Sequence, residues 1–296
     1  MRFVAAAWRL VRPKQWSKNL LVFAALIFTR KFLEPSSVVL SLIAFAAMCA
    51  ASSATYAFND AHDADRDRLH PTKRYRPVAA GTISAQTAYA IAIALALLAI
   101  ALGAMVKHTV VYGVLFYMLL QMSYNLWLKK VAIADVFVIA LGFVVRAAIG
   151  ATAISVTISA WLLFCTAALA LLLGFGKRRQ EFLTQGEERG ITRHSLIQYS
   201  KPALDALVII AACGAALCYG IYSINSRTAQ AHPAMVLSTL FVVYAICRYV
   251  LLVFSNDEGG EPETLLFTDP HLLASILLFL ASVTFAMMTD KFPFIE

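Results

Sequence analysis

A chain of 296 residues that is 60% apolar, only 14% charged and of mean hydropathy +0.73 is neither a disordered polymer nor a water-soluble globule, whose charged fraction lies near a quarter. Its apolar residues come in long runs rather than alternating with polar ones, which excludes a transmembrane β-barrel and leaves a helical membrane protein of many spans. The 25 Lys and Arg against 17 Asp and Glu give a net charge of +8, an excess that sets topology first and can also serve anions; nothing in it calls for nucleic acid.

A span needs about 20 mostly apolar residues to cross ~30 Å of hydrocarbon. The basic tail before residue 19 is read as mature sequence, because no small-residue cleavage site follows its apolar run. Residues 19–33 form a short first span with Arg30 and Lys31 snorkelling at its end. Eight longer runs follow, at 38–58, 88–106, 109–128, 131–154, 158–176, 203–224, 234–254 and 271–289. Helices are the form that satisfies the backbone of such runs in lipid. The expected fold is all-α: nine transmembrane helices in one integral-membrane domain over residues 1–296, with polar helix-loop caps on one side.

The nine-span reading puts 18 Lys and Arg on the face shared by the N-terminal tail and the even-numbered connections, and five on the other; Arg146 and Arg248 fall within spans. That split places the N-terminus in the cytoplasm and the C-terminus outside, in a plasma (inner) membrane. The cytoplasmic connections are also the long polar ones, so chemistry is expected there. The five cysteines sit in apolar runs without metal-ligand or disulfide spacing and read as packing residues. His62, His70 and His194 have no metal-ligand partners at useful spacing.

The run Asn59-Asp60-Ala61-His62-Asp63-Ala64-Asp65-Arg66-Asp67 follows the second span without a breaker and is expected to continue its helix. Asp60, Asp63 and Asp67 then share one face, with Asn59 at its border. Three carboxylates on one face repel unless a cation lies between them, and Mg²⁺ suits oxygen ligands that leave room for water and phosphate. A solvated helix end paired with Arg66 and Arg68 is the plainer alternative. Pro71 and Pro77 bracket a stiff segment carrying Lys73 and Arg76. Carboxylates for a metal beside fixed cations describe a diphosphate site.

This Asn-Asp-x-x-Asp-x-x-x-Asp run with a downstream Arg-Pro resembles the first signature of the UbiA-type intramembrane prenyltransferase superfamily, over the whole chain. The usual second acidic motif is reduced: residues 124–135, from Tyr124 through Lys129 and Lys130 to Asp135, hold one acid. The stretches 12–19, 70–81 and 176–181, with 260–263 adding a little, are similar to the decaprenyl-phosphate phosphoribosyltransferase branch. That resemblance implies transfer of a phosphoribosyl group from 5-phosphoribosyl 1-diphosphate to a polyprenyl phosphate, a step towards lipid-linked arabinose.

The resemblance also implies Mg²⁺ on Asn59, Asp63 and Asp67, with Asp60, Asp63 and Asp67 as the catalytic acids. Lys18, Tyr56, Asn59, Lys73, Arg76, Tyr124, Lys129, Lys130, Asp135, Arg146, Lys177, Arg178 and Glu181 are expected at the substrates. Three phosphates need several cationic regions, and the basic loops offer them. Arg146, deep in the fifth span, is expected to anchor a phosphate; its plainer role is to tie helices together. Lys177 and Glu181, at i and i+4, could equally form a simple helix pair. Membrane lipids are further partners, and a homo-oligomer is left open. The competing activity is prenyl transfer from an isoprenoid diphosphate to an aromatic or lipid acceptor. A transporter would place ionisable groups along the spans, whereas here they gather at one face.

Overall fold

The structure, a computed structural model, describes residues 2–69, 72–157, 159–185, 194–255, 260 and 262–288. His70, Pro71, Arg189, Arg193, Glu261 and Lys291 lie outside the described residues. Among those described there is no strand. Eight helical segments are long and apolar enough to cross a membrane, so this is a multi-pass helical membrane protein. The described residues fall into two compact units, Met1–Leu128 with Val145–Thr157, and Lys129–Val144 with Ile158–Glu296.

The first unit opens with an amphipathic helix, α1 (Arg2–Val11), which buries Ala6 and Leu10 and exposes Phe3, Val4 and Trp8. The expected first span is not one straight α-helix. Pro13–Phe23 is a 3₁₀ helix, Ala24–Phe28 a short α-helical piece, and Arg30, with φ 58°, leads into a second 3₁₀ turn at Lys31–Leu33. A 3₁₀ helix rises about 2.0 Å per residue. The two leading pieces together therefore reach ~30 Å, close to a hydrocarbon thickness, with fewer residues than an α-helix needs.

The long helix α2 (Pro35–His62) packs against that broken segment and most extensively against α4 (Ala85–Val106); the short α3 (Ala64–Arg68) comes between them in sequence. Its buried side is almost all Ala, Ser and Cys, the small residues that let membrane helices approach closely. α5 (His108–Leu126) completes the layer, and Val22, Met48, Val110, Val114, Tyr117 and Ile149 fill the core. Ser84 caps α4 through Thr87 N at 3.1 Å.

α6 (Ala134–Ala153) gives its first part to the second unit and its remainder to the first. Within the first unit Gly150 faces the carbonyl of Val22, where a Cβ would overlap backbone atoms. Only glycine permits that approach.

In the second unit α7 (Ala160–Thr184) pairs with α8 (Lys201–Asn225), and α9 (Ser238–Ser255) with α11 (Pro270–Met288); the short α10 (Pro262–Thr268) leads into α11. Val136, Leu172, Phe175, Val208, Tyr249 and Leu252 form its core. The five cysteines are all free thiols.

Replacing Gly150 by alanine is expected to lower the thermal midpoint in detergent by several degrees, since the clash is with backbone that cannot turn aside; overpacking costs ~1–3 kcal/mol. Gly214 in α8 has open space around its missing Cβ. Gly214→Ala is expected to leave the midpoint unchanged or raise it slightly through helix propensity. A fluorescence-detected melt of both variants checks this.

Candidate active site

Two polar clusters stand out against the apolar helices, one in each unit. The first lies at the end of α2. The helix does not run on through Asp67 as expected. It ends at His62, Asp63 takes a turn conformation at φ −91° and ψ 6°, and α3 restarts at Ala64. Hydrogen bonds from Asp63 N to the Asn59 carbonyl (2.9 Å) and from Asp67 N to the Asp63 carbonyl (2.8 Å) carry the chain across the break.

Asp60 is 1% exposed. Its Oδ1 accepts from Arg12 Nη2 at 2.5 Å and lies 3.2 Å from Arg76 Nη1, which also donates to Asp67 Oδ2 at 2.7 Å. A buried carboxylate is tolerable only with such partners. The local chain places both arginines. Arg76 precedes Pro77 and is therefore extended, at ψ 147°. Arg12 ends α1 in the left-handed region, at φ 52° and ψ 63°, a strained geometry for a non-glycine residue. The corner is pinned on α2, where Ser53 Oγ donates to the Val11 carbonyl at 2.8 Å and accepts from Trp16 Nε1 at 3.0 Å. Arg12 stacks over the Tyr56 ring at 4.8 Å. Arg9 donates to the Tyr75 carbonyl at 3.0 Å.

Among the described residues no three His, Cys, Asp or Glu side chains converge as a metal cage. The expectation of Asp60, Asp63 and Asp67 as three carboxylates gripping one ion is corrected: Asp67 serves Arg76, and one oxygen of Asp60 serves both arginines. The helix end still offers two buried oxygens without a hydrogen-bond partner, Asn59 Oδ1 and Asp60 Oδ2, with half-buried Asp63 at the break. Few, hard oxygen donors fit Mg²⁺, which retains waters and takes phosphate oxygens for the rest of its shell.

The second cluster centres on Asp135, which is wholly buried. Arg178 Nε lies 3.0 Å from Oδ2, Ser195 Oγ donates to the same oxygen at 3.0 Å, and Tyr199 OH donates to Oδ1 at 3.0 Å. Arg178, 1% exposed, also pairs with Glu181. Asp135 and Arg178 are thus both buried and engaged with each other, and through Tyr199 the cluster reaches the backbone just after Lys129 and Lys130. Glu181 is engaged by Arg178, at i+3, rather than standing as the i+4 partner of Lys177 alone.

The bracing is detailed. Gln198 accepts from Ala132 N at 3.1 Å and donates to the Lys130 carbonyl at 3.0 Å, and Tyr199 OH accepts from Ile133 N at 2.5 Å. Ile133 has φ 66°, an outlier for a β-branched residue. Burial raises the Tyr199 phenol above its ordinary range, so it stays protonated and can donate to Asp135. Sequence reasoning missed Ser195, Gln198 and Tyr199. The one hint is Ser200-Lys201-Pro202, a helix-start signal that sets the preceding 3₁₀ turn, His194–Gln198, apart from α8; Ser200 Oγ does cap α8 through Ala203 N.

Arg146 is 5% exposed and donates to Asn19 Oδ1 at 2.7 Å and Tyr117 OH at 2.8 Å, the contacts of a helix tie. Asn19 in turn reaches Cys49 and Ser52 of α2. Arg248 pairs with Asp269, whose Oδ1 accepts from Leu272 N at the start of α11. The Arg248 hydrogen bond, above all, holds the Asp269 carboxyl down at about 2. Of the remaining expected residues, Lys18, Lys73, Tyr124, Lys129 and Lys177 are half-buried and Lys130 is exposed.

Comparison with known proteins agrees with this architecture. Residues 20–276 match the model of the UbiA prenyltransferase family. A decaprenyl-phosphate phosphoribosyltransferase of Corynebacterium glutamicum is 32% identical, covering 94% of this chain and 85% of that protein. One from Mycobacterium tuberculosis is 31% identical, covering 95% and 93%. Among solved structures, a UbiA homolog from Archaeoglobus fulgidus bound to GPP and Mg²⁺ superposes with a TM-score of 0.71 at 17% identity, over 96% of this chain and all of that one.

Tyr199→Phe removes both the acceptor for Ile133 N and the donor to Asp135, each a group whose loss costs ~1–3 kcal/mol when buried. The expected result is faster tryptic cleavage after Lys129 and Lys130 in the detergent-solubilised protein. Tyr244→Phe, which alters an exposed contact with His271, should leave the cleavage pattern as in the parent.

Proposed function

Because the chain belongs to the UbiA prenyltransferase family, we propose that it acts there as a phosphoribosyltransferase. It moves the 5-phosphoribosyl group from 5-phosphoribosyl 1-diphosphate to a polyprenyl phosphate of the decaprenyl type and releases diphosphate. The relatives that carry this activity in their names match nearly the whole chain. The observation that carries the reading is the end of α2: two buried, unpartnered oxygens, on Asn59 and Asp60, beside guanidiniums that the fold holds in place. That pairs donors for a phosphate-bound cation with donors for phosphate itself.

The single acid of the second motif supports the choice of branch. Asp135 is consumed by Arg178, Ser195 and Tyr199 and is not offered to a second cation. Prenyl transfer to an aromatic acceptor, the competing activity, is thereby disfavoured.

Asn59 and Asp63, with Asp60 Oδ2, would hold Mg²⁺, which when bound supplies charge neutralisation for the leaving diphosphate. The chain's own groups do the remainder. Arg76 and Lys73 bind and orient the diphosphate, and Asp67 sets the direction of Arg76 through its 2.7 Å bond. Lys129 and Lys130, on the loop braced by Gln198 and Tyr199, draw a phosphate by charge. The bond from ribose C1 to the diphosphate oxygen breaks as an oxygen of the polyprenyl phosphate bonds to C1 from the opposite face. The acceptor is already anionic, so no side chain has to take its proton, and catalysis is positioning and electrostatics. The asymmetry of Lys and Arg supports a cytoplasmic N-terminus, an external C-terminus and a site facing the cytoplasm of the plasma membrane. The product would feed lipid-linked arabinose.

The test is an incubation of the purified protein with Mg²⁺, labelled 5-phosphoribosyl 1-diphosphate and polyprenyl phosphate. Label entering the organic phase is expected, with inversion at C1. Asn59→Ala and Asp63→Ala are each expected to lower transfer at least 100-fold without shifting the thermal midpoint. Label that enters only from an allylic diphosphate would replace this reading by prenyl transfer.

A further inference from the structure

The helix α1 has three sides. One buries Ala6 and Leu10 in a cluster with Ala57 and Ala61 of α2 and Ala88 and Ala92 of α4. A second carries Arg9, which reaches the Tyr75 carbonyl. The third is apolar and uncovered by the chain: Phe3 is 55% exposed, Val4 71% and Trp8 61%. We propose that this third side is a membrane anchor, docked on the phospholipid leaflet beside the spans, and that the leaflet completes a hold on α1 that the protein supplies only in part.

The depth of α1 favours lipid as the occupant. Its inner side meets α4 at Ala88 and Ala92, in the first two turns of a helix of 22 residues. Such a helix is about 33 Å long and just spans ~30 Å of hydrocarbon. A helix level with its first two turns therefore lies where acyl chains give way to headgroups. The 3₁₀ helix that follows α1 marks the same level. Its exposed residues recur every third position, as that geometry requires, and they run Lys14, Ser17, Leu20: polar beside α1 and apolar further along. Trp8 meets Trp16 edge to face, with ring centroids 6.0 Å apart, and indoles gather at the edge of the apolar layer because one part of the ring is apolar and the other donates a hydrogen bond. The Trp16 Nε1 donates to Ser53.

A second copy of the chain fits this face less well. A helix of ten residues is about 15 Å long and ~10 Å wide, and its outer side falls far short of the ~800 Å² that each partner buries in a stable association. The helix also needs a second surface. Isolated helices shorter than ~12 residues are marginal in water, and the inner side of α1 is filled by one alanine and one leucine. The left-handed Arg12 that meets Asp60 lies directly after α1, so a leaflet that fixes the helix also steadies that corner.

The experiment uses the full-length protein in phosphatidylcholine vesicles. Its fluorescence is compared with that of Trp8→Phe, and the difference reports Trp8 among the four tryptophans. The Trp8 signal is expected to be quenched by phosphatidylcholine brominated near the headgroup end of its chains and to be shielded from aqueous iodide. Quenching by iodide in place of bromine would put the face in water, and quenching by neither would put it under another protein surface; either result overturns the proposal. A double variant, Phe3→Ser with Val4→Ser, probes the hold itself, since both side chains lie largely outside the protein. Hydrogen exchange of the α1 amides in vesicles is expected to quicken roughly 10-fold or more, with α2 unchanged. Exchange at the parental rate would show that the protein holds α1 unaided and would sink the anchoring role. If the double variant fails to insert, the Trp8 comparison decides alone.

Discussion

One buried charge organises the first unit around the end of α2. Asp60, at 1% exposure, would be several kcal/mol too costly as a lone carboxylate. The chain answers with one guanidinium from far upstream and one from shortly downstream. Much of the local architecture follows from bringing those two together. α1 has to end in a tight corner at Arg12, Ser53 has to hold that corner on α2, and Pro77 has to keep Arg76 extended. Because a single oxygen of Asp60 takes both arginines, the other is left buried and unpartnered. The same contact therefore shapes the fold and leaves an oxygen donor free.

Arginines serve two ends in this molecule, and exposure separates them. The side chains of Arg178 and Arg179 are 2% and 4% exposed, and both are ion-paired inside the protein, Arg178 with Asp135 and Glu181 and Arg179 with Asp205, Arg179 also donating to the Val253 carbonyl. Arg146 donates to Asn19 and Tyr117. In an apolar surround an unsatisfied guanidinium is expensive, so deep arginines are filled by the protein itself. Arg12 and Arg76 keep 26% and 23% of their side chains open. They are anchored by carboxylates at one edge and can still meet an anion at another.

The same distinction explains what could be read in the sequence. The eight long helices are visible in the apolar runs, since burial in lipid demands continuity and little else. The segment expected as the first span takes a mixed 3₁₀ and α form rather than that of one helix. Its shift to 3₁₀ geometry depends on Pro13, on left-handed Arg12 and Arg30, and on packing along α2, none of which leaves a periodic trace. The acidic motif was legible because Asp60, Asp63 and Asp67 are close in sequence. Their partners were not, because Arg12 is paired across 48 residues. Asp135, Arg178 and Glu181 stand out in the sequence by their chemistry, but their mutual pairing does not. Charge type alone cannot tell a phosphate ligand from an internal brace, and the bracing residues Ser195, Gln198 and Tyr199 are ordinary polar residues of a loop.

Bracing and binding are linked more closely than a division of labour suggests. Lys129 and Lys130 close a 3₁₀ turn three residues before Ile133, which is held in a conformation its branched side chain disfavours. Tyr199, kept protonated by its own burial, fastens the strained amide to Asp135, and Asp135 is fixed by Arg178. Arg12 repeats the pattern in the first unit, with a disfavoured backbone secured by Ser53 and Trp16. In both places a basic side chain lies at or near a strained backbone position that a buried network secures. Backbone ordered in advance lowers the entropy that folding such a segment around an anion would cost.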